Sequence, residues 1–187
     1  MLSCGPFLVS LAFDYFITIS KLLFMKSNQE LEIKTGIKIA KTEHEVFEAI
    51  VDPAKICNYF LSSSSGRMEE GKTLTWKFPE LDMKFPVQVD KIKEDKHISY
   101  YWNDFEDNTK TNVQITLEPR ENNMTFVSVT EKSRENNEKG IKWLKGNTEG
   151  WAGFLNCLKA YLEYGINLRK NAVDSSLLPT TEKEMIV

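Results

Sequence analysis

The sequence predicts an α+β domain: a curved antiparallel sheet wrapped around one long C-terminal helix, with two short helices after the first strand. Three observations carry this expectation. Apolar residues recur at every second position from Leu31, and the pattern returns for about sixty residues in mid-chain. A helix-start signature separates these two regions. Near the end, "TEGWAGFLNCLKAYLEYGINLRK" (Thr148 to Lys170) is apolar around most of a helix's circumference. An antiparallel sheet and a single helix bury their apolar faces together only if the sheet bends around the helix.

In "LEIKTGIKIA", Leu31, Ile33, Thr35, Ile37 and Ile39 share one face, opposite Glu32, Lys34 and Lys38, as in a half-buried strand. Thr42 with Glu45 three residues on has capping-box spacing, and Val46, Phe47 and Ile50 follow at helical spacing. Pro53 ends that helix and opens a second short one, "PAKICNYF". "LSSSSGR" (Leu61 to Arg67) reads as a flexible polar loop suited to act as a lid.

The meander follows. "KTLTWKFP" turns Leu74, Trp76 and Phe78 inward. "MKFPVQVDKI" does the same with Met83, Phe85, Val87 and Val89, and Pro86 asks for an edge or a bulge. "HISYYWND" contributes Ile98, Tyr100 and Trp102, "TNVQITLEP" Val113, Ile115 and Leu117, and "MTFVSVTEKS" Val127 and Val129. Ile141 to Leu144 reads as a short helical turn, with Asn147 or Thr148 capping the final helix. At about 100° per residue, that helix confines Glu149, Asn156, Lys159, Glu163, Asn167 and Lys170 to a narrow polar strip. Trp151, Phe154, Leu155, Leu158, Tyr161 and Leu162 form a bulky wall. Gly150, Gly153, Cys157 and Ala160 line an aisle of small residues, which either admits a close backbone contact or leaves room for a ligand.

The chain has 187 residues, with 24 basic and 27 acidic side chains for a net charge of −3. That balance gives no electrostatic footprint for nucleic acid. Cys4, Cys57 and Cys157 are too few and too scattered for a disulfide framework, and their spacing gives no metal signature. "FLVSLAFDYFITISKLLF" (Phe7 to Phe24) approaches spanning length, but Asp14 and Lys21 interrupt it. It stands as a start site set too far upstream of Met25, a membrane or export segment, or an extra packed helix. The expected organisation is an apolar extension over 1–26, a domain over 31–170 and a loose tail over 171–187. A cytoplasmic location follows unless residues 7–24 anchor the chain.

This element order resembles the START-like (SRPBCC) superfamily with the helix-grip fold. More narrowly it resembles the bacterial branch related to the activator of the heat-shock-protein-90 ATPase. The resemblance spans Ile33 to Lys170 and rests on "YFLSSSSGRMEEGKTLTWKFPE", "FPVQV" and "EGWAGFLNCLKAYLEYGINLRK". It implies an elongated apolar cavity between the long helix and the concave sheet. One scaffold of this kind hosts lipid carriers, cyclases, receptors and co-chaperone modules, so the fold does not choose among them.

The cavity-lining candidates are Phe60 at the cavity mouth and, from the strands, Trp76, Phe78, Phe85, Tyr100 and Trp102, whose rings supply apolar area and, in Tyr and Trp, a polar handle. The long helix adds Trp151, Cys157 and Tyr161. Each also fits plain core packing. No catalytic residue, cofactor or metal ligand is assigned. His44 and His97 read as solvated, and nothing in the chain order brings them together. Asp104, Glu106 and Asp107 read as an acidic loop, and Glu131, Arg134 and Glu135 as a solvated mixed patch. The inward positions read as overwhelmingly apolar. The expected function is therefore non-catalytic binding of a small hydrophobic or aromatic molecule. Two alternatives stand beside it: a co-chaperone-like module that stimulates a chaperone ATPase, and a polyketide cyclase or aromatase. A buried carboxylate would favour the enzyme.

Overall fold

The computed structural model describes residues 30–104 and 107–172. Alternating burial begins with β1 (Leu31–Ile39), where Ile33 and Ile39 are buried. Helix α1 (Glu43–Val51) opens on the expected capping box: the Thr42 hydroxyl accepts from Glu45 N–H, and the Glu45 carboxylate accepts from Thr42 N–H. Asp52 closes α1 and caps α2 (Pro53–Ile56), accepting from Ala54 N–H at 2.9 Å. The strands β2 (Ser63–Ser64), β3 (Thr73–Lys77), β4 (Lys84–Lys93), β5 (His97–Asn103), β6 (Lys110–Arg120) and β7 (Met124–Arg134) follow, and α3 (Glu138–Tyr164) ends the fold.

All strand pairs are antiparallel, in the order β1-β7-β6-β5-β4-β3-β2. Register shifts between Leu31 and Ile33 in β1, and between Val89 and Lys91 in β4, add the local bends a curved sheet needs. The bent sheet holds α3 in its concavity, burying Trp143, Trp151, Phe154, Leu155 and Leu158. The end of α3 is tied to β1: Lys159 Nζ donates to Lys38 O at 2.8 Å, and Glu163 accepts from Ala40 N–H at 2.6 Å. This is the helix-grip architecture, α+β, with the two short helices following the first strand.

Three local readings of the sequence are corrected. First, α3 starts at Glu138 rather than at Asn147 or Thr148. Asn137 is its cap, accepting from Gly140 N–H at 2.9 Å. Asn147 and Thr148 are good cap residues, but their side chains are used elsewhere: Asn147 bonds Glu131, and Thr148 bonds the Leu144 carbonyl one turn back. Second, α3 stops at Tyr164. Gly165 adopts φ +67° and donates to Tyr161 O at 2.9 Å, a left-handed cap that removes Asn167 and Lys170 from the helix. Third, the serine run is not wholly loop but contains the short edge strand β2. Ser63 and Ser64 pair with Lys77 and Trp76, and Ser62 and Ser65 N–H groups donate to Lys77 and Thr75 carbonyls.

Pro86 sits opposite Thr75, in the part of β4 before its pairing with β5 begins at Gln88, so its missing N–H leaves no paired partner unmet. The expected extension over 1–26 and positions 173–187 of the tail lie outside the described residues. Among the described residues, no helix is long and apolar enough to cross a membrane.

Candidate functional site

A cleft of about 950 Å³ opens between α3 and the sheet. Phe60, Phe78, Leu81, Phe85 and Trp102 line its sheet side. Trp143, Gly146, Asn147, Gly150 and Trp151 line its helix side. The rings form a continuous chain: Phe85 meets Phe78 at 5.3 Å, Phe78 meets Phe60 at 5.6 Å, and Phe60 meets Phe154 at 4.8 Å. Phe154 meets Trp151 at 5.7 Å, and Trp151 meets Trp102 at 5.5 Å. Most of these contacts are edge-to-face, the arrangement that ring quadrupoles favour.

Beneath this wall is a group the sequence reading placed on the surface. Glu131 is 0% exposed. Its Oε1 accepts from Trp102 Nε1 at 2.9 Å and from the Thr111 hydroxyl at 2.6 Å. Its Oε2 accepts from Trp151 Nε1 at 2.7 Å and from Asn147 Nδ2 at 3.2 Å. Indole and amide N–H groups only donate, so the cage is shaped for an acceptor-only carboxylate. β5 and β6 present Trp102 and Thr111 as cross-strand partners, while Asn147 and Trp151 descend from α3 one turn apart. Strand parity was the available signal: Thr125, Val127, Val129 and Glu131 are successive buried positions of β7.

Arg134 is buried too, at 8% exposure, and its terminal nitrogens reach Asp107 at 3.0 Å and Asp104 at 3.5 Å. Burial pushes the Asp107 carboxyl up, but hydrogen bonds from Arg134 and Thr109 outweigh it and bring the pKa down to about 2. The solvated-patch reading therefore fails for Glu131, Arg134 and Asp104. Glu106 lies outside the described residues. Two buried donors in this region have no acceptor among the described residues: Arg134 Nε and Trp143 Nε1. An unpaired buried donor costs about 1–3 kcal/mol.

The other end of the cleft is bounded by Arg169. Its guanidinium forks onto Glu80 at 2.8–2.9 Å and lies 4.4 Å over the Phe60 ring and 5.4 Å over Phe78. A second cleft of about 440 Å³, lined by Cys57, Phe60, Pro79 and Asn167 among others, lies on the far side of Arg169.

Of the nine ring and thiol positions marked in the sequence, five line the larger cleft: Phe60, Phe78, Phe85, Trp102 and Trp151. Trp76 and Tyr100 lie in the core behind it, packed edge-to-face at 5.4 Å. Tyr161 stacks on buried Tyr59 at 5.0 Å, and Cys157 is a buried free thiol that lines neither cleft. Burial pushes the Cys57 and Cys157 thiols up, away from the nucleophilic thiolate. His44 is exposed beside Asp95 at 3.1 Å, while desolvation lowers the His97 pKa; neither lines a cleft. The small-residue aisle divides. A Cβ at Gly146, Gly150 or Gly153 would meet nothing within 4 Å, so no strand approaches there; Gly146 and Gly150 face the cleft.

Comparison with known proteins agrees with this architecture. The family model for "Activator of Hsp90 ATPase homolog 1-like protein" matches residues 41–163. The crystal structure of protein SSP2350 from Staphylococcus saprophyticus is 34% identical, with TM-score 0.65; the match covers 74% of this chain and 96% of that one. The solution structure of the Aha1 dimer from Colwellia psychrerythraea is 23% identical, with TM-score 0.62, covering 72% and 98%. DynU16, a putative protein in the dynemicin biosynthetic locus, is 22% identical, with TM-score 0.64; that match covers 72% of this chain but 48% of DynU16. The last two show the fold alone. No curated protein matches the chain significantly. With two thirds of its length matched by the family model, and a relative of known structure 34% identical across the whole domain, the chain belongs to the activator-of-Hsp90-ATPase homolog 1-like family of helix-grip proteins.

Proposed function

We propose that this protein binds a small hydrophobic or aromatic molecule in the cleft between α3 and the sheet, without catalysing its conversion. The observation that carries this reading is the cleft itself, about 950 Å³, with rings on the sheet side and glycine on the helix side. Tight packing would have filled that space with side chains. The buried carboxylate does not turn the site into an enzyme's. A general base needs a free lone pair facing the substrate, but both oxygens of Glu131 are engaged by two donors each, and Glu131 is not in the cleft wall. It orients Trp102 and Trp151, which are in the wall. A cytoplasmic location belongs to the same proposal.

The test is native mass spectrometry of protein from its own host, followed by organic extraction. A stoichiometric small molecule is expected. Gly150→Leu, which projects a side chain into open space at the cleft, is expected to weaken its binding about tenfold or more while the fold survives. Clean apo protein whose tryptophan emission ignores a panel of aromatic and aliphatic ligands would sink the carrier reading. A chaperone ATPase assay would then come next.

A further inference from the structure

We infer, resting on the cleft reading above, that Arg169 limits the length of ligand this protein accepts. With Glu80 it forms a partition between the larger cleft and the smaller one. Phe60 and Arg169 belong to both walls. The guanidinium lies 4.4 Å over the Phe60 ring and 5.4 Å over Phe78, so it covers ring faces that an apolar chain would otherwise take. Its edge forks onto Glu80 at 2.8–2.9 Å, the geometry that best suits a guanidinium to a carboxylate. Both side chains are partly buried, at 21% and 11% exposure. On the far side, Cys57, Tyr59, Leu61 and Pro79 continue the apolar lining into the space of about 440 Å³.

The chain on either side of Arg169 holds it in place. Gly165 turns the backbone out of α3, and Asn167 then ties the segment down. The Asn167 Nδ2 donates to Asn58 O at 2.7 Å, and its Oδ1 accepts from the Arg169 and Lys170 N–H groups at 3.0 Å. Glu80 comes from the connection between β3 and β4, whose Phe78 and Leu81 line the larger cleft. The ion pair thus joins the segment after α3 to the rim of the sheet, across the line between the two clefts. Two side chains make this partition, each from a connecting segment. Substituting either one opens it without touching α3 or a strand.

The straight-chain alcohols from hexanol to tetradecanol, each displacing N-phenyl-1-naphthylamine, test this. In wild type, affinity is expected to rise about fourfold per methylene and then to level off once the chain reaches Arg169. In Arg169→Ala the rise is expected to continue. The longest alcohols then bind the variant about tenfold tighter than wild type, and the shortest bind both proteins equally. Each length is compared between proteins, so the falling solubility of long alcohols cancels. Glu80→Gln keeps Arg169 but weakens its anchor, and a smaller shift in the same direction is expected. It supplies the readout should Arg169→Ala not fold. Equal weakening at every length would make the pair a structural clamp and overturn the partition. An unchanged levelling point in both variants overturns it too, and in either case the cleft reading stands. If wild type binds neither the dye nor any alcohol, the cleft reading falls and the partition with it.

Discussion

At the scale of single residues, Glu131 couples the core to the cleft. Four neutral donors from β5, β6 and α3 converge on one carboxylate, so removing an acceptor there leaves buried N–H groups facing one another. Glu131→Gln presents an amide N–H to a cage of donors. It is expected to cost about 3 kcal/mol, near the lower end for breaking a buried charged network, read as a fall in the urea midpoint. Loss of near-ultraviolet dichroism from Trp102 and Trp151 at neutral pH, before global unfolding, would show that the carboxylate sets the ring positions. An unchanged spectrum in a folded variant would reduce Glu131 to a contributor to stability alone.

At the scale of elements, α3 holds glycines with opposite structural roles. Gly153 is exposed, and a Cβ there meets nothing within 4 Å, so Gly153→Ala is expected to stabilise by about 0.5–1 kcal/mol through helix propensity. Gly140 is buried at the first turn, where a Cβ would lie 1.9 Å from the Glu135 carbonyl oxygen. Gly140→Ala is therefore expected to destabilise markedly, because backbone cannot yield as a flexible side chain can. Chemical denaturation of the two variants checks both signs. A destabilised Gly153→Ala would mean that something packs on that face of the helix.

At the scale of the whole molecule, the Asp104–Arg134–Asp107 cluster ties the β5–β6 connection to the end of β7 and holds one end of the cleft together. Asp107's folded pKa of about 2 lies below its ordinary 3.8, so its contribution to stability is complete above about pH 4 and disappears as pH falls toward 2. Melting temperatures of wild type and Asp107→Asn are expected to differ most near neutrality and to converge across that window. Parallel curves down to pH 2 would mean that the ion pair adds nothing to the fold.

What the sequence determined by itself was the part governed by local periodicity. Alternation placed β1 and the inward faces of β3 to β7, Thr42 and Glu45 declared the capping box, and the wall of Trp151, Phe154, Leu155 and Leu158 required a sheet that bends around its helix. Five of the nine marked positions reached the cleft: Phe78, Phe85 and Trp102 because strand parity distinguishes inside from outside, and Trp151 because the long helix's apolar wall faces the sheet, with Phe60 at the mouth. Parity cannot separate the cleft wall from the core behind it, which is why Trp76 and Tyr100 were grouped with Phe85. Tertiary structure alone decided the buried polar groups in and behind the cleft wall. Glu131 and Arg134 read as surface because a charged residue is buried only when partners arrive from elsewhere, and theirs come from other strands and from α3. The same non-local demand drew Asn147 out of its capping role and carried α3 back to Asn137. Local pattern fixes which face of an element is apolar; only the packed fold decides which buried polar group finds its partners, and which is left without an acceptor among the described residues.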